Sequence, residues 1–226
     1  LMTASKNGIS SHQIARQLDV TQKTAWFLCH RIREAMKREP MAGMLGGKGK
    51  AVEADETYVG ARRPRYKGKS KPGRGTSKKP VLALVEREGE VVAHPIDAPT
   101  AESLKGTIRK LVDSQSTVMT DELPAYRGLE PDFEGGHKRI RYRDGVYVRY
   151  EDGGPVYVTT NTAESYFAKL KRAHYGTHHQ MSHKHLHRYV TESSFKWNTR
   201  QVSDGERMVA AIEGADGKRL MYREPA

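Results

Sequence analysis

Asp55 and Glu56 are adjacent acids in the middle of VEADETYVG, residues 52–60. The Val and Tyr residues of this segment favour a β-strand, whereas Asp and Glu are depleted from strands. In a half-solvated strand the side chains alternate, so that Glu53, Asp55 and Thr57 would share the face in water. The other interpretation is that Asp55 contributes a carboxylate to a reactive site. That interpretation depends on whether other acids of the chain can join it.

A second acid, Asp121, follows the short apolar run TVMT, residues 117–120. An acid directly after a buried strand lies at the carboxyl end of that strand, which is where α/β sheets bind ligands. An Asp shortly before Pro124 is also a common turn or helix-capping residue. The position therefore fits either a ligand or a turn.

A third acid, Glu164, lies in NTAESYFAKLK, residues 161–171, which has the pattern of a helix start. Asn161 as the N-cap, with Glu164 three residues later, makes a variant of the capping box. Lys171 is seven residues beyond Glu164 and therefore on the same helix face, two turns along. A carboxylate and a lysine in line could hold a metal ion and a nearby phosphate together, an arrangement that the cap does not require.

The formal net charge of +12 points to a polyanionic partner, and nucleic acid is the simplest one. Residues 61–79 contain nine Lys or Arg and no acid, and they follow Asp55 and Glu56 closely. We interpret this segment as a loop that contacts phosphates, although its Gly, Pro and Ser content also fits a basic linker. The side chains proposed for phosphate contact are Lys67, Lys69, Lys71 and Arg74.

No apolar run approaches the ~18–20 residues of a membrane helix, and the sequence shows no signal-peptide pattern. The single cysteine, Cys29, allows no internal disulfide, so that a cytoplasmic protein without a membrane partner is expected. The sequence starts at Leu1 without an initiator Met, which we interpret as a fragment of a longer chain.

Residues 9–37 predict two helices around a short turn. Ser10 or Ser11 can cap the first helix and Thr21 the second. The pattern fits a helix-turn-helix, whose second helix would enter a major groove, or a plain αα-hairpin. If the segment is a helix-turn-helix, residues 21–33 would determine which DNA sequences the protein prefers. The side chains at the leading end of the second helix are Gln22, Lys23 and Thr24.

From residue 51 onwards the pattern changes to strands and helices, which predicts an α/β domain. Strands are expected at 51–59, 80–86, 90–96 and 117–120. Helices are expected after Thr100, at 161–174 and at about 182–198. The run RIRYRDGVYVRY, residues 139–150, predicts a hairpin about its Asp-Gly pair.

The segments DETYVG, TDELPAY and NTAESYFAKLK, in this order, resemble the catalytic blocks of DDE transposases from bacterial insertion sequences. Over residues 10–200 the chain is similar to the group that joins a helix-turn-helix to a ribonuclease-H-like domain. The resemblance implies an α/β fold, with a ribonuclease-H-like mixed sheet flanked by helices and a small N-terminal helix-turn-helix. The implied regions are a helix-turn-helix at 1–39, a linker at 40–50, a catalytic domain at 51–200 and a tail at 201–226.

By the same resemblance Asp55, Asp121 and Glu164 form the catalytic triad, at spacings of 66 and 43 residues, and hold two Mg²⁺ or Mn²⁺ ions. Lys171 matches the basic residue that commonly follows the third acid by two turns. Some relatives use Asn at the third position, so that Asn161 is an alternative ligand. Physical chemistry agrees, because converging carboxylates repel unless cations neutralise them, and Mg²⁺ binds few carboxylates together with water and phosphate oxygens.

The resemblance further implies a DNA transposase that cleaves and joins strands at the ends of an insertion sequence. Its partner would be double-stranded DNA, both transposon ends and target, on which it would assemble as a homodimer or a larger complex at the bacterial nucleoid. Members of the group often carry a cysteine zinc ribbon before the helix-turn-helix, and this sequence contains none.

Two other functions are compatible with the sequence. HLHR, residues 185–188, has the His-x-x-Arg form of tyrosine recombinases, with Tyr189 or Tyr222 as the nucleophile of a metal-free reaction. Tyr189 shares a helix face with apolar residues, however, which favours a core position. The other function is that of a helix-turn-helix regulator, which would bind DNA without cleaving it.

Six histidines fall within fourteen residues near the C-terminal helices. They could form a zinc site, although no paired ligand spacing stands out, or they could belong to a partly solvated segment that faces DNA. The six are His174, His178, His179, His183, His185 and His187.

Overall fold

The computed structural model describes residues 1–37, 43–61, 76–141, 148–150, 157–218 and 220–221. The chain forms two compact units. The first unit takes its residues from 1–41, 60–63 and 169–226, and the second takes them from 42–59 and 64–168. No helix in the described part of the chain is both long and apolar enough to cross a membrane.

The second unit contains a mixed five-stranded sheet. Its strands are β1 (Ala51–Ala61), β2 (Lys78–Glu86), β3 (Val91–Pro95), β4 (Thr117–Thr120) and β5 (His137–Arg139). They lie in the order β3-β2-β1-β4-β5, with β2 and β3 antiparallel and with β4 parallel to both β1 and β5. The predicted α/β class, with a mixed sheet flanked by helices, is confirmed.

Helix α3 (Ala101–Leu111) covers one face of this sheet. Thr100 caps it, because the Thr100 side chain accepts a hydrogen bond from the Ser103 amide and the Ser103 side chain accepts one from the Thr100 amide. Leu104 and Ile108, four residues apart on one helix face, are fully buried among apolar side chains of β1, β2 and β4. This packing makes β1 a central strand that is covered on both faces.

The described residues include only the two ends of the hairpin predicted for residues 139–150, so that the hairpin stays a prediction. The first end of the segment belongs to β5, which extends the main sheet beside β4. The second end, β6 (Arg149–Tyr150), pairs antiparallel with β7 (Tyr157–Val158). Ile140 is buried with Met119 and Val158, which ties this end of the segment to the main sheet. The Asp-Gly turn itself lies outside the described residues.

Helix α4 (Asn161–Ala173) begins in the second unit, and its last turn belongs to the first unit. The first unit also contains α1 (Ser11–Leu18), α2 (Gln22–Ala35), α5 (Leu186–Asn198) and α6 (Asp204–Glu213). Ser10 caps α1 and Thr21 caps α2, as the sequence predicts. Leu18, expected in the apolar stripe of α1, is 48% exposed, because the helix ends there at Asp19, which adopts a left-handed conformation.

The core of the first unit joins both ends of the chain. Ile14, Ala25, Cys29 and Met36 from the N-terminal region pack with Ala211 of α6. The stretch 201–226, expected to be a tail, therefore contributes a packed helix, and α5 belongs to the same unit rather than to the sheet unit. The functional domain boundaries expected from the sequence remain a prediction.

Candidate active site

Asp55 and Asp121 are the first residues beyond the parallel pairing of β1 with β4, where β4 ends and β1 continues to Ala61. In the register of β1 and β4, Ala54 is the partner of Thr120, and each acid is the next residue of its chain. Parallel strands bring their carboxyl ends to the same edge of a sheet, where α/β proteins place ligands. The two acids that stand 66 residues apart in the sequence are thus neighbours in the fold.

The electrostatics of Asp55 connect it with the third predicted acid. Burial raises the pKa of Asp55 well above its usual range, and the negative charges of Asp121, Glu56 and Glu164 raise it further. A hydrogen bond that the Glu56 amide donates to Asp55 Oδ1, at 2.8 Å, opposes the shift. The net effect is a raised pKa, so that Asp55 lies in negatively charged surroundings.

Asp121 also has the turn role that its position before Pro124 suggests. Its Oδ1 accepts a hydrogen bond from the Leu123 amide at 3.0 Å, which is the geometry of an Asx turn. Because this contact orients the carboxylate at the strand end, the turn and a ligand role are compatible. A short helical turn, Pro124–Tyr126, follows directly.

Glu56 makes a different contact from its neighbour. Successive strand residues point to opposite faces, and Glu56 Oε2 accepts a hydrogen bond from the Tyr126 hydroxyl at 2.7 Å. Burial raises the pKa of Tyr126 well above its usual range, and the negative charge of Glu56 adds to the shift. The hydrogen bond gives Glu56 a structural role, which leaves Asp55 as the acid of β1 that faces Asp121.

Glu53 is the polar residue of this site that the sequence pattern misplaces. The expectation of a water-facing side chain is wrong, because Glu53 is fully buried in the central strand. Its carboxylate accepts hydrogen bonds from the Thr162 and Ala163 amides, at 2.8 and 3.1 Å, and from Arg87 Nε at 3.0 Å. Glu53 thereby joins the strand of Asp55 to the helix of Glu164. No local motif marks this contact, because its partners are 34 and 109 residues away.

The start of α4 differs from the capping box expected of Asn161 and Glu164. The Glu164 amide donates to the Thr160 carbonyl at 3.0 Å, so that Asn161 is already the first helical residue. The amides that a cap would satisfy are bound by Glu53 instead. The cap role assigned to Asn161 is therefore wrong, and the explanation of Glu164 as a capping-box residue no longer applies. Both side chains are exposed.

The described residues contain no group of three or more His, Cys, Asp or Glu that is close enough to hold a metal ion. The donor chemistry of the three acids nevertheless fits a hard divalent cation such as Mg²⁺, which prefers carboxylate oxygens together with water and phosphate. The raised pKa of Asp55 supports the fit, because a bound cation would remove the repulsion that causes part of it. The six histidines near the C-terminal helices likewise form no metal-binding group among the described residues, so that a zinc site there has no support.

The side chains predicted to contact DNA divide into three groups. Gln22, Lys23 and Thr24 are exposed at the start of α2. Lys171 is exposed in the last turn of α4. The four side chains of the 61–79 segment proposed for phosphate contact lie outside the described residues; they are Lys67, Lys69, Lys71 and Arg74.

One face in the second half of α2 is buried and therefore cannot contact DNA bases. His30 is fully buried and Arg33 is 2% exposed, so that the expectation of sequence preference throughout 21–33 is wrong for both. Arg33 Nε donates to Glu192 Oε2 at 2.7 Å, and the His30 ring lies against the rings of Trp26 and Tyr189. The face of α2 that carries His30 and Arg33 is therefore packed against α5.

Tyr189 occupies the packed position that its helix face predicts. The Arg33 guanidinium lies 4.2 Å from the centre of its ring, and the His178 ring centre is 4.9 Å away. Burial raises the pKa of the Tyr189 hydroxyl, which disfavours the phenolate of a recombinase nucleophile. Tyr222, the other candidate nucleophile, lies outside the described residues.

Comparison with known proteins identifies one family. The pattern of the ISXO2-like transposase domain matches residues 44–198, which is more than half of the 226 residues. The match includes all three predicted acids and excludes the N-terminal helices. No curated protein matches the sequence.

Several solved structures are similar to the chain at low sequence identity. An intasome of simian T-cell lymphotropic virus, in complex with PP2A regulatory subunit B56 gamma, is 16% identical with a TM-score of 0.35. The match covers 93% of this chain and 66% of that chain, slightly less than two thirds of its length. The Mos1 strand transfer complex is 11% identical with a TM-score of 0.37, over 95% of this chain and 76% of that chain. The Mos1 transposase paired-end complex with the left transposon end is 11% identical with a TM-score of 0.32, over 93% and 75%.

Proposed function

Because the chain belongs to the family of ISXO2-like transposase domains, we propose that it catalyses metal-dependent DNA strand cleavage and strand transfer at insertion-sequence ends. The observation that carries this proposal is the convergence of acids on Asp55. Asp55 and Asp121 follow paired residues of neighbouring parallel strands, and the negative charges of Asp121 and Glu164 both help to raise the pKa of Asp55.

Asp55, Asp121 and Glu164 are the residues that would hold two divalent ions, Mg²⁺ or Mn²⁺. When bound, such ions activate a water molecule or a 3′-hydroxyl as the nucleophile and stabilise the leaving oxygen of the phosphodiester. The protein's own contribution is placement. The Leu123 amide orients Asp121, and the Glu56 amide orients Asp55. Glu53 holds the start of α4 against β1, so that Glu164 keeps its position relative to Asp55.

The proposed substrate is double-stranded DNA, on which the protein would assemble as a homodimer or a larger complex. Gln22, Lys23 and Thr24 are the side chains proposed for base contact, because they are exposed at the start of α2. Lys171 and the basic segment 61–79 are proposed to contact phosphates, and the net charge of +12 supports this role.

Removal of metal tests the reaction class. Labelled DNA with the inverted repeats that flank the coding region is expected to be cut in Mg²⁺ or Mn²⁺ and to stay intact in EDTA. The measurement is the fraction of cut strand on a denaturing gel. Covalent protein–DNA complexes that form in EDTA would instead indicate a tyrosine recombinase. Binding without cleavage under all conditions would indicate a regulator.

The identity of the third ligand can be separated by two substitutions. Glu164→Gln is expected to abolish strand joining in Mg²⁺, because the charge that balances the cations is lost. It is expected to change the free energy of unfolding by less than about 0.5 kcal/mol, since Glu164 is exposed and caps nothing. Urea denaturation measures the second quantity and a strand-joining assay measures the first.

Asn161→Ala is the matched control for Glu164→Gln. It alters an exposed side chain three residues away in the same helix turn. If Glu164 is the ligand, the control keeps strand joining. If Asn161 is the ligand, the pattern reverses, so that Glu164→Gln stays active and Asn161→Ala does not.

A further inference from the structure

A small pocket in the first unit is lined mainly by polar and basic side chains. Lys6 reaches it from the N-terminal segment, Lys169 from the last part of α4, and Lys196 from α5. Its enclosed volume is about 10 Å³, which is close to the space that one water-sized atom needs. All of its lining residues belong to the first unit, whereas the three acids belong to the second.

The carboxylate that lines this pocket already forms ion pairs with two basic side chains. Glu192 is the acid among its lining residues, and it is almost fully buried. Its two carboxylate oxygens accept from Arg33 Nε at 2.7 Å and from Lys196 Nζ at 2.6 Å. With one acid bound by two cations, the pocket has an excess of positive charge before the remaining lysines are considered.

Lys169 is a further basic residue that lines this pocket. It is half-buried, and no ion pair joins it to an acid in the described part of the chain. Burial lowers the pKa of Lys169 to about 8, and the positive charges of Lys196, Arg207 and Lys6 add to this effect. An anion at the pocket would offset the repulsion among these cations.

Ser193 adds an independent indication of a ligand. It is 6% exposed, and its Oγ has no hydrogen-bond partner among the described residues although it is buried. A buried hydroxyl without a partner is unfavourable. Ser193 lines the same pocket as the lysines, and its hydroxyl can donate to an acceptor placed there.

The wall that carries Lys6 and Asn7 is held in a defined conformation. Gly8 has a φ of +91°, which favours glycine, and an added Cβ would lie 2.8 Å from His178 Nε2 and 3.2 Å from Glu192 Oε1. Ser5 Oγ also donates to the Gly8 carbonyl at 2.5 Å. The close approach of this backbone shows that the pocket wall is packed against the residues of its floor.

We propose that this pocket, formed by Lys6, Lys169 and Ser193, binds one phosphate group of the DNA backbone. The proposal rests on the proposed function, because it takes DNA as the ligand. One phosphate oxygen would enter the pocket and accept from Ser193 Oγ, while the two lysines offset the charge of the group at the mouth. Since the enclosed space admits only one atom, the rest of the group stays at the surface, where the ester oxygens of a DNA strand can continue.

The decisive variant is Ser193→Ala, which changes no charge. It is expected to weaken binding of a short labelled duplex roughly tenfold at fixed salt, which is the loss of about one hydrogen bond to a charged group. Stability against urea is expected to stay equal or to rise, because an unpaired buried hydroxyl is removed. Fluorescence anisotropy of the full chain, without divalent ions, measures the affinity.

Lys169→Gln tests the charge. The slope of log affinity against log salt is expected to fall in magnitude by about 0.9, the value for one lost phosphate contact. The control is Lys37→Gln, which removes the same charge from a 62% exposed side chain of the same unit. The control is expected to leave the slope unchanged.

The other outcomes overturn the proposal in distinguishable ways. Wild-type affinity and slope in both pocket variants, with normal DNA binding by the wild type, would overturn the pocket but not the transposase function. A wild type that does not bind duplex DNA would overturn both. Inorganic phosphate that raises the Tm of the wild type but not of Ser193→Ala, without any difference in DNA affinity, would show a site for free anions and overturn the DNA assignment.

Discussion

Asp55→Asn is expected to abolish DNA cleavage and strand joining in Mg²⁺ or Mn²⁺, with a rate loss of at least about 10³-fold. The substitution keeps the shape of the side chain and removes the charge that a divalent cation requires. Asp121→Asn is expected to have the same effect, because the two acids follow paired residues of neighbouring strands. The measurement is the initial rate of cleavage of DNA that carries the flanking inverted repeats.

Glu56→Gln is the matched control for Asp55→Asn, since it removes the adjacent charge of the same strand. Gln can still accept the hydrogen bond of the Tyr126 hydroxyl, so that most of the cleavage activity is expected to remain. DNA binding is expected to be nearly intact in all of these variants. Cleavage by Asp55→Asn at the wild-type rate would remove Asp55 from the site.

The stability of the metal-free protein gives a second readout for Asp55. Its pKa is raised in the folded state, so that folding favours the protonated carboxyl. The contribution of Asp55 is therefore full at a pH below the unfolded pKa and is lost as the pH rises through the folded pKa. We expect Asp55→Asn to be more stable than the wild type at neutral pH in EDTA, as measured by urea denaturation at several pH values. A loss of activity together with a gain of stability would mark a functional carboxylate rather than a structural one.

Glu192→Gln is expected to lower the free energy of unfolding by about 3–5 kcal/mol, the usual loss when one partner of a buried ion pair is removed. Arg33 is 2% and Lys196 is 5% exposed, so that the substitution leaves two buried cations without their counter-charge. Urea denaturation measures the loss. Glu34→Gln is the control, because Glu34 pairs with the exposed Lys37 at 3.8 Å and such pairs contribute about 1 kcal/mol or less.

A triple variant keeps this prediction testable if Glu192→Gln does not fold. Replacing Arg33, Glu192 and Lys196 together by Met, Leu and Met removes all three charges, which is often neutral or stabilising in a buried network. We therefore expect the triple variant to be more stable than Glu192→Gln. Equal stability of the single and triple variants would show that the charges do not decide the folding of this unit.

The pH dependence of the same cluster follows from Glu192. Burial alone would raise the pKa of Glu192, but the charges of Arg33 and Lys196 and the Lys196 hydrogen bond outweigh it and lower the pKa to about 2. The stability that Glu192 contributes is full above the unfolded pKa of about 4.3 and is lost as the pH falls towards 2. Between these values the stability advantage of the wild type over Glu192→Gln is expected to disappear.

The sequence by itself determined the elements that carry the acids. The Val-rich run around Asp55, the TVMT strand before Asp121 and the helix pattern after Asn161 all correspond to observed elements. Local propensity suffices here, because strand and helix periods are properties of neighbouring residues. The same applies to the caps at Ser10, Thr21 and Thr100, each of which depends on residues three positions apart.

The predictions that failed concern contacts between distant residues. Glu53, which the strand pattern places in water, is buried because it binds Arg87 and the start of α4. The capping box at Asn161 failed for the same reason. Its amides are bound by Glu53, more than a hundred residues earlier in the chain.

Only the tertiary structure decided which charges are buried and what they hold. Glu53 and Glu192 look like ordinary surface acids in the sequence, yet both are buried, Glu53 paired with Arg87 and Glu192 with Arg33 and Lys196. A buried charge is tolerated only where its partners converge from several elements, and that convergence follows from the packing of strands and helices rather than from any local spacing. The sequence thus determined which acids end strands and begin helices, whereas the fold decided which of them meet, because a carboxylate acquires its role from neighbours that are distant in the chain.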